Sequence, residues 1–262
     1  MDWTTAIDAW SHHLTGALHR SPDTVRTRTS WLRLYAVQHP IDATRSDIEH
    51  WYSQNPHWKP ATHKSAQQSL RAFYTHAVAR GWVSTDPTVD LPAVHVPKSA
   101  PRPCPELVYR RALAQVDNPR DRLALLLAGA GGLRRNEIAA LRRADLDANG
   151  TLWVTGKGGV TRDIPLCGEL LDLIRAAPVG WLFPGRFAGH IHPDALSKIM
   201  RRALHGESSA HRLRARFATV AYSADHDIRA VQDLLGHSSM DTTQRYVAVS
   251  SEAKRCAVQA AA

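Results

Sequence analysis

Six side chains in four short segments of this sequence have the types that nucleophilic and phosphate chemistry needs: Arg134, Lys157, His211, Arg214, His237 and Tyr246. Arg134 stands just after the glycine pair Gly131-Gly132, with Glu137 three residues on. Lys157 lies in the glycine-bracketed segment GKGG. His211 and Arg214 are three apart in HRLR, so on a helix they share one face. His237 follows Gly236 in LLGHSS, and Tyr246 comes nine residues later. A guanidinium fork matches phosphate oxygens with two parallel bonds. A tyrosine hydroxyl has an ordinary pKa of about 10 and attacks only as it loses its proton. Taken singly, each residue also has an everyday reading. Arg134 and Glu137 make an ion pair, Lys157 is a solvated turn residue, the histidines are surface or core groups, and Tyr246 packs.

The elements that must position these groups fall into two parts. Six of the 15 prolines lie between Pro87 and Pro105. Each fixes φ and removes a donor, so the stretch cannot be one helix. The expected division is a helical domain over 1–92, a proline-rich linker over 93–104 and a second domain over 105–262. The first part reads as four helices. Trp3, Ile7, Trp10, Leu14 and Leu18 repeat at helical spacing. Ser21-Pro22 caps a second helix, Thr44 to Ser53 forms a third, and a fourth runs from about Ala61 to Gly81. Six of the eight tryptophans lie in this part, and its aromatics read as core. Arg26, Arg28, Lys64 and Arg71 fall on polar faces, where solvation and phosphate contact are equally good readings.

The second part is mixed. Helices are expected at 107–114, 120–130, 136–143, 168–176, 194–204, 211–224 and 228–236. The arms Thr151 to Thr155 and Thr161 to Leu166 read as a hairpin with Lys157 at its tip. The alanine-rich end is expected to be helical. The fold class is therefore mainly α with a small β-hairpin or sheet, in two domains.

The composition narrows the function. The chain has 262 residues, 33 basic and 24 acidic, for a formal charge of +9; arginine supplies 27 of the basic residues. That balance favours nucleic acid, although high-GC coding also inflates arginine. The N-terminus reads as having no secretion signal, and no apolar run approaches the roughly 20 residues of a membrane helix. Cys104, Cys167 and Cys256 form neither a disulfide framework nor a metal spacing. The histidine pairs His12-His13 and His190-x-His192 have no cysteine or carboxylate at ligand spacing, so no metal is expected.

The set of motifs, in this order, resembles the tyrosine recombinases, also called the phage integrase family. The pattern G-L-R-x-x-E-x-x-x-L-x-x-x-D is present as Gly132, Leu133, Arg134, Glu137, Leu141 and Asp145. The G-K-G hairpin is Gly156 to Gly158, with Arg162 and Ile164 to Leu166 closing its second strand. The pattern H-x-L-R-x-x-F-A-T is His211, Leu213, Arg214, Phe217, Ala218 and Thr219. Leu234 to Ser239 and Thr242 to Tyr246 supply the last pattern. The resemblance covers roughly residues 103–250, with weaker support over the first part.

The resemblance implies a four-helix, SAM-like core-binding domain followed by a catalytic domain. It implies DNA cleavage and rejoining through a 3′-phosphotyrosyl link and a Holliday junction, with no cofactor. Arg134 and Arg214 clamp the scissile phosphate, and Tyr246 attacks it. His211 assists the proton transfer, His237 bonds a phosphate oxygen, and Lys157 protonates the leaving 5′ oxygen. Glu137 and Asp145 support the helix of the first arginine. Double-stranded DNA is the expected partner, with a homotetramer on synapsed sites, a directionality factor left open, and bacterial cytoplasm and nucleoid as the setting. The C-terminal tail, Ser251 to Ala262, either docks on a neighbour or frays. Helical sequence starts by about residue 3, which implies a short form without an arm-binding domain. Phage or mobile-element integration and excision is the leading use, with plasmid or chromosome dimer resolution as the alternative. A non-enzymatic DNA-binding regulator would have lost the nucleophile or an arginine, and neither is lost. A topoisomerase or telomere resolvase would use the same phosphotyrosine chemistry. Departures from the family pattern are Asn136, Ala215 and Arg216.

Overall fold

The computed structural model describes residues 1–97, 102–156 and 158–236, together with 255, 258 and 259. Lys157, His237, Tyr246 and most of the tail therefore lie outside the described residues. The chain divides into two compact units, Met1–Ser99 and Ala100–Ala262.

The first unit is four helices: α1 (Trp3–Gly16), α2 (Pro22–Ala36), α3 (Arg45–Ser53) and α4 (Pro60–Ala79). Local chemistry starts each of the first three. The Asp2 carboxylate caps α1 through the Thr5 amide, and Ser21 caps α2, whose first residue is Pro22. Thr44 and Asp47 form a reciprocal capping box on α3. The tryptophans face inward. Trp10 and Trp51 are buried, and Trp31, Trp51 and Trp58 meet edge to face at 5.0–6.5 Å. The polar-face cations are partly committed to the fold. Arg26 pairs with Asp23 at 2.8 Å, and Arg28 Nη1 donates to Gln68 O. Arg71 Nη2 donates to Thr88 O and Leu91 O, while Lys64 is exposed on α4.

The second unit is built around α6 (Pro119–Gly129), whose last seven residues are all buried. A helix apolar on every side must be enclosed. Around it in chain order stand α5 (Glu106–Gln115), α7 (Arg135–Ala139), the antiparallel strands β1 (Thr151–Thr155) and β2 (Thr161–Pro165), and α8 (Gly168–Ala176). Then follow β3 (Pro184–Phe187), α9 (Pro193–Ala203), α10 (Ala210–Asp225) and α11 (Ile228–Leu235). The hairpin register pairs Thr151 with Pro165 and Thr155 with Thr161, which leaves Leu152, Val154 and Ile164 facing the core. No described helix is long and apolar enough to cross a membrane.

Three features differ from the sequence expectation. The helix expected over 136–143 stops at Ala139, because the backbone there exchanges helical bonds for strand-like ones. Leu141 O accepts the Leu182 amide at 2.9 Å, the Arg143 amide donates to Gly180 O, and the Arg142 guanidinium lies 3.9 Å from the Trp181 ring centre. Strand β3 was not expected; bridges to His190 hold it, and glycines interrupt its sequence. Residues 102–104, expected as linker, are fastened to α10. Arg212 donates to Arg102 O and Pro103 O, and its own carbonyl accepts the Cys104 amide.

Candidate active site

The site begins at the chain reversal after α6. Gly132 takes a left-handed φ of +68°, which a side chain disfavours, and a Cβ there would lie 2.4 Å from the Phe217 ring. That turn aims Gly132 O at Arg214, whose Nη1 donates to it at 2.7 Å. A Gly132→Ala chain should combine backbone strain with overpacking, together about 2–5 kcal/mol. In thermal unfolding this is an expected loss of roughly 5–15 °C.

Arg134 follows as the residue that opens α7. Its amide donates to Glu137 Oε2 and its Nη1 to Glu137 Oε1, both at 2.8 Å. Its side chain is 38% exposed, so the guanidinium reaches the surface. Glu137 is the centre of the cluster, with a side chain 4% exposed. It also receives the fork of Arg162, at 2.8 and 3.1 Å, and lies 3.8 Å from Arg214 Nη1. Burial pushes the Glu137 carboxyl up, but the bonds and charge of Arg162, with those of Arg134, outweigh it and hold it below the usual carboxylate range.

Arg214 sits one helical turn after His211 in α10, and its side chain is 5% exposed. Its Nη2 donates to Leu235 O at 2.5 Å, and Arg134 Nη1 reaches the same oxygen at 3.3 Å. Two guanidiniums thus converge on one oxygen. Arg134 Nη2 also reaches Gly236 O at 3.4 Å, and Arg162 Nε donates to Leu234 O at 2.7 Å. Three successive carbonyls at the negative end of α11 therefore face three arginines. Asp227 caps the other end of α11, and Gly236 ends it at φ +60°. His237 is the next residue in the chain.

His211 is exposed on the first turn of α10, whose N-cap is Ser209. Partial burial, and then the Arg214 cation, push its pKa below the ordinary 6.5. The imidazole is therefore neutral at neutral pH and can accept a proton. Activity that depends on that base should be retained above its lowered pKa and fall as pH drops through it. We expect an acid limb lying below pH 6.5 in the rate profile, and its loss in His211→Gln.

The structure thus brings Arg134, Glu137 and Arg214 together, with His211 one turn before Arg214 on α10. Asp145 acts elsewhere: its carboxylate accepts the Arg142 amide at 2.7 Å and shapes the turn that follows α7. Arg162 joins the cluster although its sequence position marked it only as part of a strand. Its signal was the alternation of β2, which sends residues 162 and 164 to the same side. Arg216, one of the departures, is used by the fold. It donates to Glu106 at 2.7 Å and to Gly129 O at 2.7 Å, and lies 4.0 Å from the Tyr109 ring centre. That pair holds the Glu106 carboxyl at about 2.

Comparison with known proteins places the sequence and the fold. Residues 106–253 match the phage integrase family. The tyrosine recombinase XerC of Rhodospirillum centenum is 34% identical over 73% of this chain, an alignment spanning 63% of that protein's length. The tyrosine recombinase XerC of Myxococcus xanthus is 31% identical over 74% of this chain and 73% of its own. Among solved structures, the integrase from mycobacterium phage Brujita is 30% identical over 95% of this chain and 89% of its own, with a TM-score of 0.52. A lambda integrase dimer bound to a core site shares the fold, with a TM-score of 0.76 at 19% identity, over 92% of this chain and 97% of its own.

Proposed function

The chain belongs to the phage integrase family, and on that premise we propose that it is a site-specific DNA recombinase of the tyrosine type. One observation carries the reading: Arg134 and Arg214 converge on a single oxygen, Leu235 O, which brings two guanidinium forks to one point. A phosphodiester gains charge on its non-bridging oxygens as it is attacked, and paired forks stabilise that charge.

The Tyr246 oxygen bonds to phosphorus while the bond from phosphorus to the 5′ oxygen breaks. The phenolic proton passes towards His211, and Lys157 supplies a proton to the leaving 5′ oxygen. His237 bonds a phosphate oxygen. A 3′-phosphotyrosyl link and a 5′-hydroxyl result, and attack by a 5′-hydroxyl of another strand reverses the step. Hence no external energy source is needed. The choice of Tyr246 is supported by the state of four of the five other tyrosines. Burial pushes the hydroxyls of Tyr35, Tyr52 and Tyr74 well above 10, and that of Tyr109 up to about 12.

The first unit would grip the core site, with Arg26, Arg28, Lys64 and Arg71 as candidate phosphate contacts. Four protomers on two duplexes would pass through a Holliday junction. The leading biological use is integration and excision of a phage or mobile element, which the likeness to the Brujita integrase supports. Chromosome dimer resolution is the second reading, favoured by the XerC relatives. The test is a plasmid pair carrying the DNA that flanks the gene. Recombinant products with a junction intermediate are expected. Relaxation without recombinants would point instead to a topoisomerase-like enzyme.

A further inference from the structure

We propose that Arg162 is a positioning residue for cleavage, acting through Glu137 on the orientation of Arg134. The inference rests on the phosphate-clamp reading of Arg134. Glu137 Oε1 accepts Arg134 Nη1 at 2.8 Å and Arg162 Nη1 at 3.1 Å. Glu137 Oε2 accepts the Arg134 amide at 2.8 Å and Arg162 Nη2 at 2.8 Å. Each oxygen thus holds one bond from each arginine. The planar Arg162 fork fixes the plane of the carboxylate, and the carboxylate fixes the Arg134 guanidinium.

Arg162 is itself held. Its side chain is 9% exposed, and Nε donates to Leu234 O, one residue before the carbonyl on which Arg134 and Arg214 converge. A Cβ on Gly236 would lie 3.0 Å from Arg162 Cδ, so the glycine leaves the room that the arginine fills. With its fork on Glu137, Arg162 acts on the phosphate through another group. A misplaced clamp of this kind costs rate and leaves ground-state binding nearly intact.

The test uses Arg162→Lys, which keeps the charge but has one ammonium in place of a fork, and Arg162→Gln. Single-turnover cleavage is measured at saturating protein on a nicked duplex taken from the DNA that flanks the gene, with affinity measured in parallel. The duplex is made in three forms: an ordinary scissile phosphate, a methylphosphonate there, and a sulfur in place of the leaving 5′ oxygen. The methylphosphonate is neutral and has less need of Arg134. The thiolate leaves without a proton donor. Both variants are expected to bind like the wild type and to cleave the ordinary phosphate about 10–100-fold more slowly. On the methylphosphonate the deficit should shrink to within about threefold, and on the sulfur form it should persist. A deficit that stays on the methylphosphonate, or vanishes on the sulfur form, overturns the proposal, as does full activity on the phosphate. If Arg162→Gln melts early, the Lys variant alone decides the comparison. Arg134→Ala is the gauge: if methylphosphonate fails to rescue it, the clamp reading falls and this inference falls with it.

Discussion

Replacing Arg214 with alanine should lower the rate of DNA cleavage by about 10³–10⁵-fold, the range for an arginine that stabilises a phosphoryl-transfer transition state. The side chain is almost wholly enclosed and spans two elements, from Gly132 O after α6 to Leu235 O at the end of α11. Truncation removes a charge at the reacting phosphate. It also strips Gly132 O of its donor, at about 1–3 kcal/mol if that oxygen stays dry, while Leu235 O keeps its bond from Arg134. Arg214→Lys separates the two effects. Its point charge cannot reach both carbonyls at once, so it should bind DNA yet remain slow. Single-turnover rates at saturating protein, set beside melting curves for both variants, check the expectation. Near-normal cleavage by Arg214→Ala would remove it from the phosphate clamp.

The second large effect is expected at Glu137, where one buried carboxylate faces three guanidiniums. Removing the anion leaves like charges clustered without the carboxylate between them, at about 3–5 kcal/mol in Glu137→Ala. Cleavage should fall as well, since Arg134 loses its guide. The pH dependence has a definite sign. The folded carboxyl titrates below its ordinary value, near 4.5, so its contribution is complete above that pH and is lost as pH falls through the lower folded value. The stability difference between the wild type and Glu137→Gln should therefore be widest at neutral pH and narrow below about pH 4.5. Denaturant unfolding at a series of pH values measures it. A pH-independent difference would mean that Glu137 acts by packing and not by charge.

Much of this was legible in the residues themselves. Periodicity and capping marked the helices, because Ser21-Pro22, the Thr44–Asp47 box and Asn118-Pro119 are local devices that need no tertiary partner. The motif arginines and His211 were legible from their order. What escaped was fixed by contacts distant in sequence. Helix α7 ends early because residues 141–143 pair with residues 180–182. The place of Arg162 depends on a strand, a helix end and Glu137 meeting in space, with 25 and 72 residues separating it from its partners. Arg212 likewise fastens residues 102–104 and Arg216 pairs with Glu106, in each case across 109 or 110 residues of chain.

The three arginines grip the carbonyls of residues 234–236, and the segment bearing His237 and Tyr246 continues from that grip. The groups proposed to hold the phosphate are thus the same groups that anchor the chain leading to the nucleophile.

Tyr246 is proposed to attack a phosphate held by Arg134 and Arg214. The most direct measurement uses nicked duplexes tiling the DNA that flanks the gene. The nick lets a short fragment diffuse away and traps any covalent product. An SDS-resistant protein–DNA adduct is expected on one duplex, with DNA joined to Tyr246, and no adduct in Tyr246→Phe. An adduct that persists in Tyr246→Phe, or tight binding that never yields one, would contradict it.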